Sequence, residues 1–131
     1  MTVESMRHFT RHERGAHAED AVCDYLRVRG FRITGRNVRL GPLELDVLAE
    51  KGGLAIVVEV RMRSARSWDT GFSSITHEKR RNLMRAVRRL WQDKLRRRSD
   101  IARIRIDVAS VRFEDGECEI TYLEGAIVGA G

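Results

Sequence analysis

Two acidic residues stand inside apolar, strand-like runs, where a charge is costly to bury. Glu59 lies in the β-branched segment 56–61, and Asp46 lies in the apolar segment 43–49. A buried carboxylate costs several kcal/mol unless it is paired with a cation or binds a metal. A Gly-Gly pair at 52–53 separates the segments and is typical of a tight hairpin turn. The two acids are therefore candidates for one site.

A two-residue turn at 52–53 would set the register of this hairpin. Because side chains alternate across a strand, Glu44 and Asp46 share one face. Asp46 would then lie opposite Glu59, and Glu44 opposite Arg61, with facing Cβ atoms about 4.5–5.5 Å apart. Carboxylates at that separation can bind one hard divalent cation together with waters. The alternative is a hairpin with one solvated face, whose acids are balanced by arginines. Those arginines are Arg39, Arg61 and Arg63.

A third acid, Glu19, falls on the apolar side of the first predicted helix. It precedes Val22, Cys23 and Leu26 by three, four and seven residues, which puts all four on one helix face. Glu19 is therefore predicted to point towards the same pocket. The alternative is an acid at the edge of the apolar stripe, stabilised by the N-terminal dipole of the helix.

Capping signals and periodicity define the elements that position these acids. Thr10 with Glu13 has capping-box spacing, so a helix is predicted to begin there and to end at Gly30. A second helix is predicted from Thr76 to about Arg98, after a loop at 63–75. Strands are predicted at 31–34, 43–49, 54–62, 104–112 and 119–123. The order αβββαββ predicts an α/β (α+β) fold with a mixed sheet flanked by helices.

Composition favours one domain with a polyanionic partner. The 131 residues are 42% hydrophobic, enough for one core, and carry a net charge of +6. Residues 1–9 are predicted to be a flexible N-terminal arm, and 10–131 a single domain. No apolar run approaches the roughly 20 residues of a membrane span, and no signal-peptide core is visible. The two cysteines suggest neither a disulfide framework nor a zinc ribbon. We expect a cytoplasmic protein that uses no small-molecule cofactor.

The second predicted helix carries a dense positive charge. Asp93 is the sole acid between residues 79 and 98, and most of the basic residues fall off the stripe formed by Leu83, Val87 and Leu90. Such a surface neutralises phosphates without reading sequence, although a merely solvated face is the alternative. DNA is the expected nucleic acid. The predicted contacts are Lys79, Arg80, Arg81, Arg85 and Arg88.

Several short motifs follow one another in a fixed order. They are Gly15-Ala16-His17-Ala18-Glu19-Asp20-Ala21, Tyr25-Leu26, Gly30-Phe31-Arg32-Ile33, Arg36-Asn37-Val38-Arg39, Leu43-Glu44-Leu45-Asp46-Val47-Leu48, Val58-Glu59-Val60-Arg61-Met62-Arg63, Gly71-Phe72, Lys79-Arg80-Arg81 and Arg105-Ile106-Asp107-Val108. Over residues 15–124 the chain resembles the YraN-type family of predicted endonucleases, in the PD-(D/E)xK superfamily that includes resolvases of branched DNA.

The resemblance implies a restriction-endonuclease-like core and a metal-dependent endonuclease that hydrolyses DNA phosphodiester bonds, branched DNA included. It implies that Glu19, Asp46 and Glu59 form the acidic centre, with Asp46 and Glu59 binding Mg²⁺ or Mn²⁺. Arg61 stands at the position where the superfamily has a lysine that orients or activates the attacking water. A homodimer would suit the cutting of two strands, although no feature requires one.

The chain departs from the family pattern at two places. Arg61 stays charged and cannot act as a base, although it could stabilise charge that develops during phosphoryl transfer. Lys79, at the start of the second helix, is then a candidate for the missing amine; the alternative is an ordinary member of a basic helix. Pro42-Leu43 replaces the usual glycine before the acidic strand, which could shift Glu44.

Three functions remain open from the sequence. The first is the metal-dependent nuclease, the second is a nuclease-fold module that binds nucleic acid with little or no cleavage, and the third is a domain whose basic face binds an acidic protein. The other reactive residues are predicted to have no catalytic role. Cys23 is predicted to lie in the core and the histidines at the surface. Asp107 is predicted to be a charge on an edge strand rather than a peripheral acid of the site. Trp68 and Phe72 either contact bases or anchor their loop.

Overall fold

A computed structural model of the chain describes residues 10–63, 75–114 and 117–127. The elements are helix α1 (Arg11–Val28), strands β1 (Arg32–Leu40), β2 (Leu43–Lys51) and β3 (Leu54–Arg63), helix α2 (His77–Leu90), and strands β4 (Arg103–Glu114) and β5 (Glu117–Leu123). The predicted arm at 1–9 and the loop residues Trp68 and Phe72 lie outside the described residues.

The five strands form one mixed sheet in the order β1-β2-β3-β4-β5. Strands β3 and β4 are parallel, and the other neighbours are antiparallel. Helix α1 packs on one face against Val47, Val58 and Val111, and helix α2 packs on the other against Leu45 and Val57. The predicted mixed sheet flanked by helices is confirmed. Neither described helix is long and apolar enough to cross a membrane.

Helix α1 begins and ends where the sequence predicts. The Thr10 hydroxyl accepts from Glu13 N at 3.1 Å, and the Glu13 carboxylate accepts from Thr10 N at 3.3 Å, which completes the capping box. Its buried side includes Cys23, which is fully buried as predicted. Gly30 follows the helix with a φ of 89°, a conformation that glycine adopts without steric cost.

Helix α2 ends earlier than predicted. Its α-helical part stops at Leu90, and the five residues Trp91–Leu95 form a π-helical turn in which Arg96 N donates to Trp91 O at 2.9 Å. Leu95 follows Leu83 by twelve residues, so α-helical rotation of about 100° per residue would place it about 120° from the buried stripe. The wider π turn returns Leu95 to the core, where it is 6% exposed.

Strand β1 is longer than the predicted 31–34 and reaches Leu40. It is an edge strand with alternating exposed side chains, and such strands lack the apolar run that identifies interior strands. Its register shifts between Ile33 and Gly35. Asn37 has a φ of 50°, a left-handed conformation in which asparagine is enriched among non-glycine residues.

The prediction that Asp107 is an edge-strand charge is wrong. Strand β4 lies between β3 and β5, and Asp107 is fully buried. Its carboxylate accepts from Arg105 Nε at 2.8 Å, Tyr122 Oη at 2.5 Å and Gly125 N at 2.8 Å. Burial and the bond to Asp107 raise the pKa of Tyr122. The sequence pattern could not reveal this role, because it depends on β5 covering the edge of β4.

The turn end of the β2–β3 hairpin is fixed by ion pairs. Glu50 is 8% exposed and accepts from Arg98 in a bidentate arrangement, with both distances 2.7 Å. Arg32 Nη2 also lies 3.2 Å from Glu50 Oε1. The carbonyl of Gly53 accepts from Ala102 N at 2.8 Å, which attaches the turn to the segment before β4. This end of the hairpin therefore has little freedom to open.

Candidate metal and DNA site

The other end of the hairpin opens into a fork, and the two predicted acids lie there. The ladder follows the predicted register from Lys51 opposite Leu54 to Val47 opposite Val58, and then stops. Beyond it, Val60 N donates to Oδ2 of Asp46 at 2.9 Å, so a side chain takes the place of a backbone acceptor. The ladder ends one step short of the predicted pair of Asp46 with Glu59, although their carboxyl groups remain electrostatic neighbours.

The predicted pairing of Glu44 with Arg61 is wrong. Because the strands diverge after Val47, Glu44 instead lies 3.5 Å from Arg39 on the neighbouring edge strand. This surface pair is the balanced arrangement that the alternative interpretation of the hairpin predicts for one acid. Arg61 lies beside Asp46 at the wall of a cavity, where it also interacts with other groups of the protein.

Glu59 is nearly buried, and its two oxygens have different surroundings. The residue is 3% exposed, and Oε1 lies 3.4 Å from the Lys79 amine. Oε2 is buried and has no hydrogen-bond partner among the residues that the structure describes. An acceptor left in that state costs free energy, which a bound cation or a proton would recover.

The carboxyl of Asp46 resists ionisation. Burial is the main cause and the charge of Glu59 the next, and together they raise the pKa of Asp46 to about 7. The hydrogen bond from Val60 N and the charge of Lys79 act in the opposite direction. A pair of carboxylates in this state can be stabilised either by one shared proton or by a cation.

A cavity of about 270 Å³ lies between α1 and the fork. Asp46 and Glu19 are the acids of its lining, Arg61 also belongs to the lining, and Met62, 40% exposed, adds an apolar group. The remaining lining residues are Gly15, Ala18 and Val60. Three of the four residues predicted from sequence to be catalytic thus line the cavity, and the fourth, Glu59, does not.

Glu19 points to this cavity as predicted but is held by strand β1. Its Oε1 accepts from Asn37 Nδ2 at 3.1 Å and from Arg36 Nη2 at 3.4 Å. Arg36 also donates to Asp20 at 2.6 Å, so one guanidinium joins both acids of the helix to the edge strand. Residue spacing does not reveal this role for Arg36 and Asn37, although both belong to the motif at 36–39.

Two carboxylates, rather than three, form the candidate metal centre. No group of three or more His, Cys, Asp or Glu residues within 10–63, 75–114 and 117–127 is placed to hold an ion. Asp46 and Glu59 fit a hard divalent cation, since Asp46 is partly buried, Glu59 is buried, both offer carboxylate oxygens, and Glu59 Oε2 has no hydrogen-bond donor among the described residues. Magnesium sites commonly use one or two carboxylates and complete the shell with water and substrate phosphate.

The basic residues of α2 divide into two groups. Lys79 contacts Glu59, whereas the predicted nucleic-acid contacts Arg80, Arg81, Arg85 and Arg88 are exposed. On the side of the helix opposite the buried stripe, four exposed residues follow one another at intervals of four, three and four positions and therefore form one solvent-facing line. This outer line consists of Arg81, Arg85, Arg88 and Gln92. It begins beside the acidic fork and runs away from it along the helix.

The predicted surface histidines agree with the structure where it describes them. His12 and His77 are exposed, His17 is partly exposed, and His8 lies outside the described residues. His17 interacts with another group of the protein. None of the described histidines belongs to a metal-binding cluster.

The sequence is similar to proteins that share one family description. The model of "Uncharacterised protein family UPF0102" matches residues 18–111. A UPF0102 protein of Sorangium cellulosum is 41% identical over 113 residues, covering 86% of this chain and 78% of that protein. One from Myxococcus xanthus is 35% identical over 117 residues, or 88% and 90% of the two chains. A UPF0102 protein of Nitratidesulfovibrio vulgaris is 42% identical over 78 residues, covering 60% and 58%.

Proposed function

The chain belongs to the YraN family, the uncharacterised protein family UPF0102, and from that premise we propose that it is a metal-dependent endonuclease that hydrolyses DNA phosphodiester bonds. The observation that carries the proposal is the pair formed by the partly buried Asp46 and the buried Glu59, with an unsatisfied oxygen on Glu59 and an amine beside it. We place the activity in the cytoplasm and include branched DNA among its substrates.

Asp46 and Glu59 would hold Mg²⁺ or Mn²⁺. Either ion, when bound, would polarise a phosphoryl oxygen and lower the pKa of a water molecule. In the hydrolysis, a water oxygen forms a new bond to phosphorus, one bridging P–O bond breaks, and the departing oxygen takes a proton. Glu59 is buried and Asp46 is partly buried, so solvent screens a charge on either acid less than it would at the surface.

Lys79 and Arg61 divide the role that a single lysine has in related folds. Lys79, half-buried at Glu59, supplies an amine that can orient a water by hydrogen bonding. Arg61, at the cavity wall, keeps its charge and would stabilise negative charge on the phosphoryl oxygens. Glu19 would orient groups at the opposite wall, where Asn37 and Arg36 hold its carboxylate.

The exposed arginines of α2 would bind the DNA backbone outside the site. The exposed line starts at Arg81, two residues after the lysine that contacts Glu59. Contacts of this kind bind phosphates independently of base sequence, and they weaken as salt displaces them. The proposed enzyme therefore selects DNA by shape rather than by sequence.

A cleavage assay tests the proposal. Labelled duplex, single-stranded and four-way-junction DNA would be incubated with Mg²⁺, Mn²⁺ or EDTA. The wild type would be compared with Asp46→Ala and Arg61→Lys, and with Glu44→Gln as a matched control, since Glu44 is an acid on the same strand outside the cavity. We expect metal-dependent cutting by the wild type and the control, and none by Asp46→Ala, whose DNA affinity should be largely kept.

The Arg61→Lys variant distinguishes an active nuclease from a nuclease fold that has lost its catalytic activity. Cutting only by this variant would mean that the fold has become a nucleic-acid-binding module, which is the second candidate function. The presence of an arginine that cannot act as a base favours that candidate. Absence of cutting by all variants, or cutting that survives both EDTA and Asp46→Ala, would refute the nuclease.

A further inference from the structure

A polar layer adjoins the acidic fork on the α2 side of the sheet. Registered neighbours place Arg61 beside Ser110, and Ser110 beside Thr121, across strands β3, β4 and β5. The next row in the same direction places Arg63 beside Arg112, and Arg112 beside Glu119. We call these six residues the arginine–hydroxyl layer.

The face of this layer follows from strand alternation. Val57 and Val108 pack towards α2, and residues two, four or six positions further along the same strands share that face. The contacts of Arg63 agree, since its Nη2 donates to Thr121 Oγ1 at 3.0 Å and lies 3.5 Å from Glu119 Oε1. Glu59 lies on this face as well, one row before Arg61, at a spacing of about 6.6–6.8 Å along the strand.

Positive charge predominates in the layer. It holds three arginines and one acid, and that acid, Glu119, has a side chain that is 61% exposed. The Arg63 side chain is 7% exposed, so its guanidinium lies deep, whereas Arg61 and Arg112 are partly exposed and reachable from solvent. All three interact with other groups of the protein. An arginine carries five N–H donors in a planar fork, so it can serve a protein neighbour and an anion together.

Ser110 provides an independent indication of a ligand. It is fully buried, and its hydroxyl has no hydrogen-bond partner among the described residues. A buried hydroxyl without a partner is destabilising, and most such groups in proteins are satisfied. Its neighbours in the row are the Arg61 and Thr121 side chains. A phosphoryl oxygen placed between the two arginine rows could accept from this hydroxyl as well as from the guanidinium groups.

We propose that the arginine–hydroxyl layer is a phosphate-binding site, and that it binds a phosphate of the DNA next to the one that is cut. The identity of the ligand as DNA rests on the proposed function, whereas the phosphate chemistry does not. A phosphate bound there would fix the strand relative to Asp46 and Glu59. The layer thus positions substrate, and the outer arginines of α2 add affinity.

Binding of inorganic phosphate tests the site without any cleavage. Phosphate would be titrated in EDTA and followed by ³¹P NMR, with Arg112→Gln, Ser110→Ala and, as matched control, Arg103→Gln. Arg103 is an exposed arginine on the same strand, at the opposite end of the sheet. The dissociation constant should rise about tenfold in Arg112→Gln and about fivefold in Ser110→Ala, and it should not change in the control.

Measuring the DNA affinity of the same variants shows whether the site binds a phosphate of DNA or only free inorganic phosphate. If DNA is the ligand, Arg112→Gln and Ser110→Ala should weaken binding of a short duplex, and inorganic phosphate should compete with it. If inorganic phosphate competes with the duplex but Arg112→Gln and Ser110→Ala leave DNA binding unchanged, the proposed site is wrong. It is also wrong if all three variants, the control included, reduce phosphate binding equally. Thermal unfolding without phosphate serves as the fold check. If Ser110 is only an unsatisfied hydroxyl, Ser110→Ala will leave phosphate binding unchanged, which also overturns the site.

Failure of the nuclease and failure of this site give different results. A protein that binds phosphate through Ser110 and Arg112 but cuts no DNA refutes the nuclease and leaves the site. A protein that cuts DNA, with phosphate binding indifferent to both residues, refutes the site and leaves the nuclease.

Discussion

The Lys79 amine lies 3.4 Å from Oε1 of Glu59, so helix α2 places a cation beside an acid in the middle of strand β3. The contact joins the first turn of the helix to the most buried acid of the site. The Thr76 hydroxyl caps that turn by accepting from the backbone N of Lys79 at 3.1 Å. The start of helix α2 therefore fixes the backbone of Lys79 and, through it, the contact of its amine with Glu59.

Replacing Lys79 should abolish most of the proposed cleavage. We expect Lys79→Met to lower the rate by about 10²–10⁴-fold, the range expected when the group that orients or activates the attacking water is lost. Lys79→Arg would keep the charge without a readily lost proton, so recovery in that variant would indicate an electrostatic role. His77→Gln, an exposed change in the same turn, is the control. Single-turnover rates at saturating DNA measure the effect.

Lys79→Met should also reduce the free energy of unfolding, but only by about 1 kcal/mol or less, because the lysine side chain is 39% exposed. Urea unfolding measures this change. A second substitution, Glu59→Gln, should restore most of the loss, since it removes the buried charge that the lysine balances. A stability loss that persists in the double variant would contradict the ion-pair explanation.

The protein without metal should become less stable as pH rises towards neutrality. In the folded state the raised pKa of Asp46, about 7, keeps its proton where the unfolded chain, with its ordinary value of 3.8, has lost it. This contribution is complete below about pH 4 and is lost as pH rises through 7, with a total on the order of 4 kcal/mol. The difference in unfolding free energy between wild type and Asp46→Asn, measured in EDTA from pH 5 to 8, should follow that curve.

Asp24→Asn is the control for the pH experiment, since Asp24 is an exposed aspartate that pairs with Arg27 on the surface. Its difference from wild type should stay nearly flat over the same interval. A flat difference for Asp46→Asn as well would mean that the carboxyl is ionised in the folded protein. Added Mg²⁺ should weaken the pH dependence, because the ion competes with the proton.

Asp107→Asn should destabilise the fold without changing the chemistry of the folded molecules. The buried carboxylate serves Arg105, Tyr122 and Gly125, and removing its charge leaves Arg105 poorly compensated. We expect a loss of about 3–5 kcal/mol in the free energy of unfolding. Glu124→Gln, at the exposed end of the same cluster, should change it by less than about 0.5 kcal/mol. Lower cleavage per folded molecule in Asp107→Asn would give Asp107 a role in the site.

Removing two exposed arginines of α2 should alter the salt dependence of DNA binding. For Arg85→Gln with Arg88→Gln, the slope of log K against log salt should become shallower by about 1.8, since each phosphate contact contributes about 0.9. Affinity should fall equally for unrelated sequences. The matched control changes Arg27 to Gln, an exposed arginine on α1 at the other face of the sheet. An unchanged slope would show that α2 faces solvent rather than DNA.

The sequence predicts the acid pair but not how it is held. Glu59 is conspicuous because a carboxylate in a β-branched run must be compensated, and Gly52 and Gly53 set the register that the ladder follows. Asp46 ends that ladder by accepting from Val60 N. Periodicity cannot reveal a side chain that competes with the backbone for a hydrogen bond. For that reason the predicted pairing fails from this residue onwards.

Tertiary position explains the other differences. The burial of Asp107 depends on which strand occupies the edge, and Asn37 receives its role from the helix acid that packs against β1. The π turn is the one feature that the sequence could have shown. The interval from Leu90 to Leu95 does not fit α-helical spacing, and the helix widens there to keep Leu95 in the core.

The hairpin of β2 and β3 is fixed at one end and divergent at the other. Glu50 and Arg98 hold the closed end, whereas no backbone pairing joins the strands beyond Val47 and Val58. Beyond that point the hydrogen bond from Val60 N to Asp46, rather than the backbone ladder, holds the Asp46 carboxylate next to Glu59. Mg²⁺ requires ligands at about 2.0–2.1 Å and Ca²⁺ at about 2.3–2.6 Å. A distant change that widened the fork would thus alter which ion radius is accepted while leaving both ligands in place.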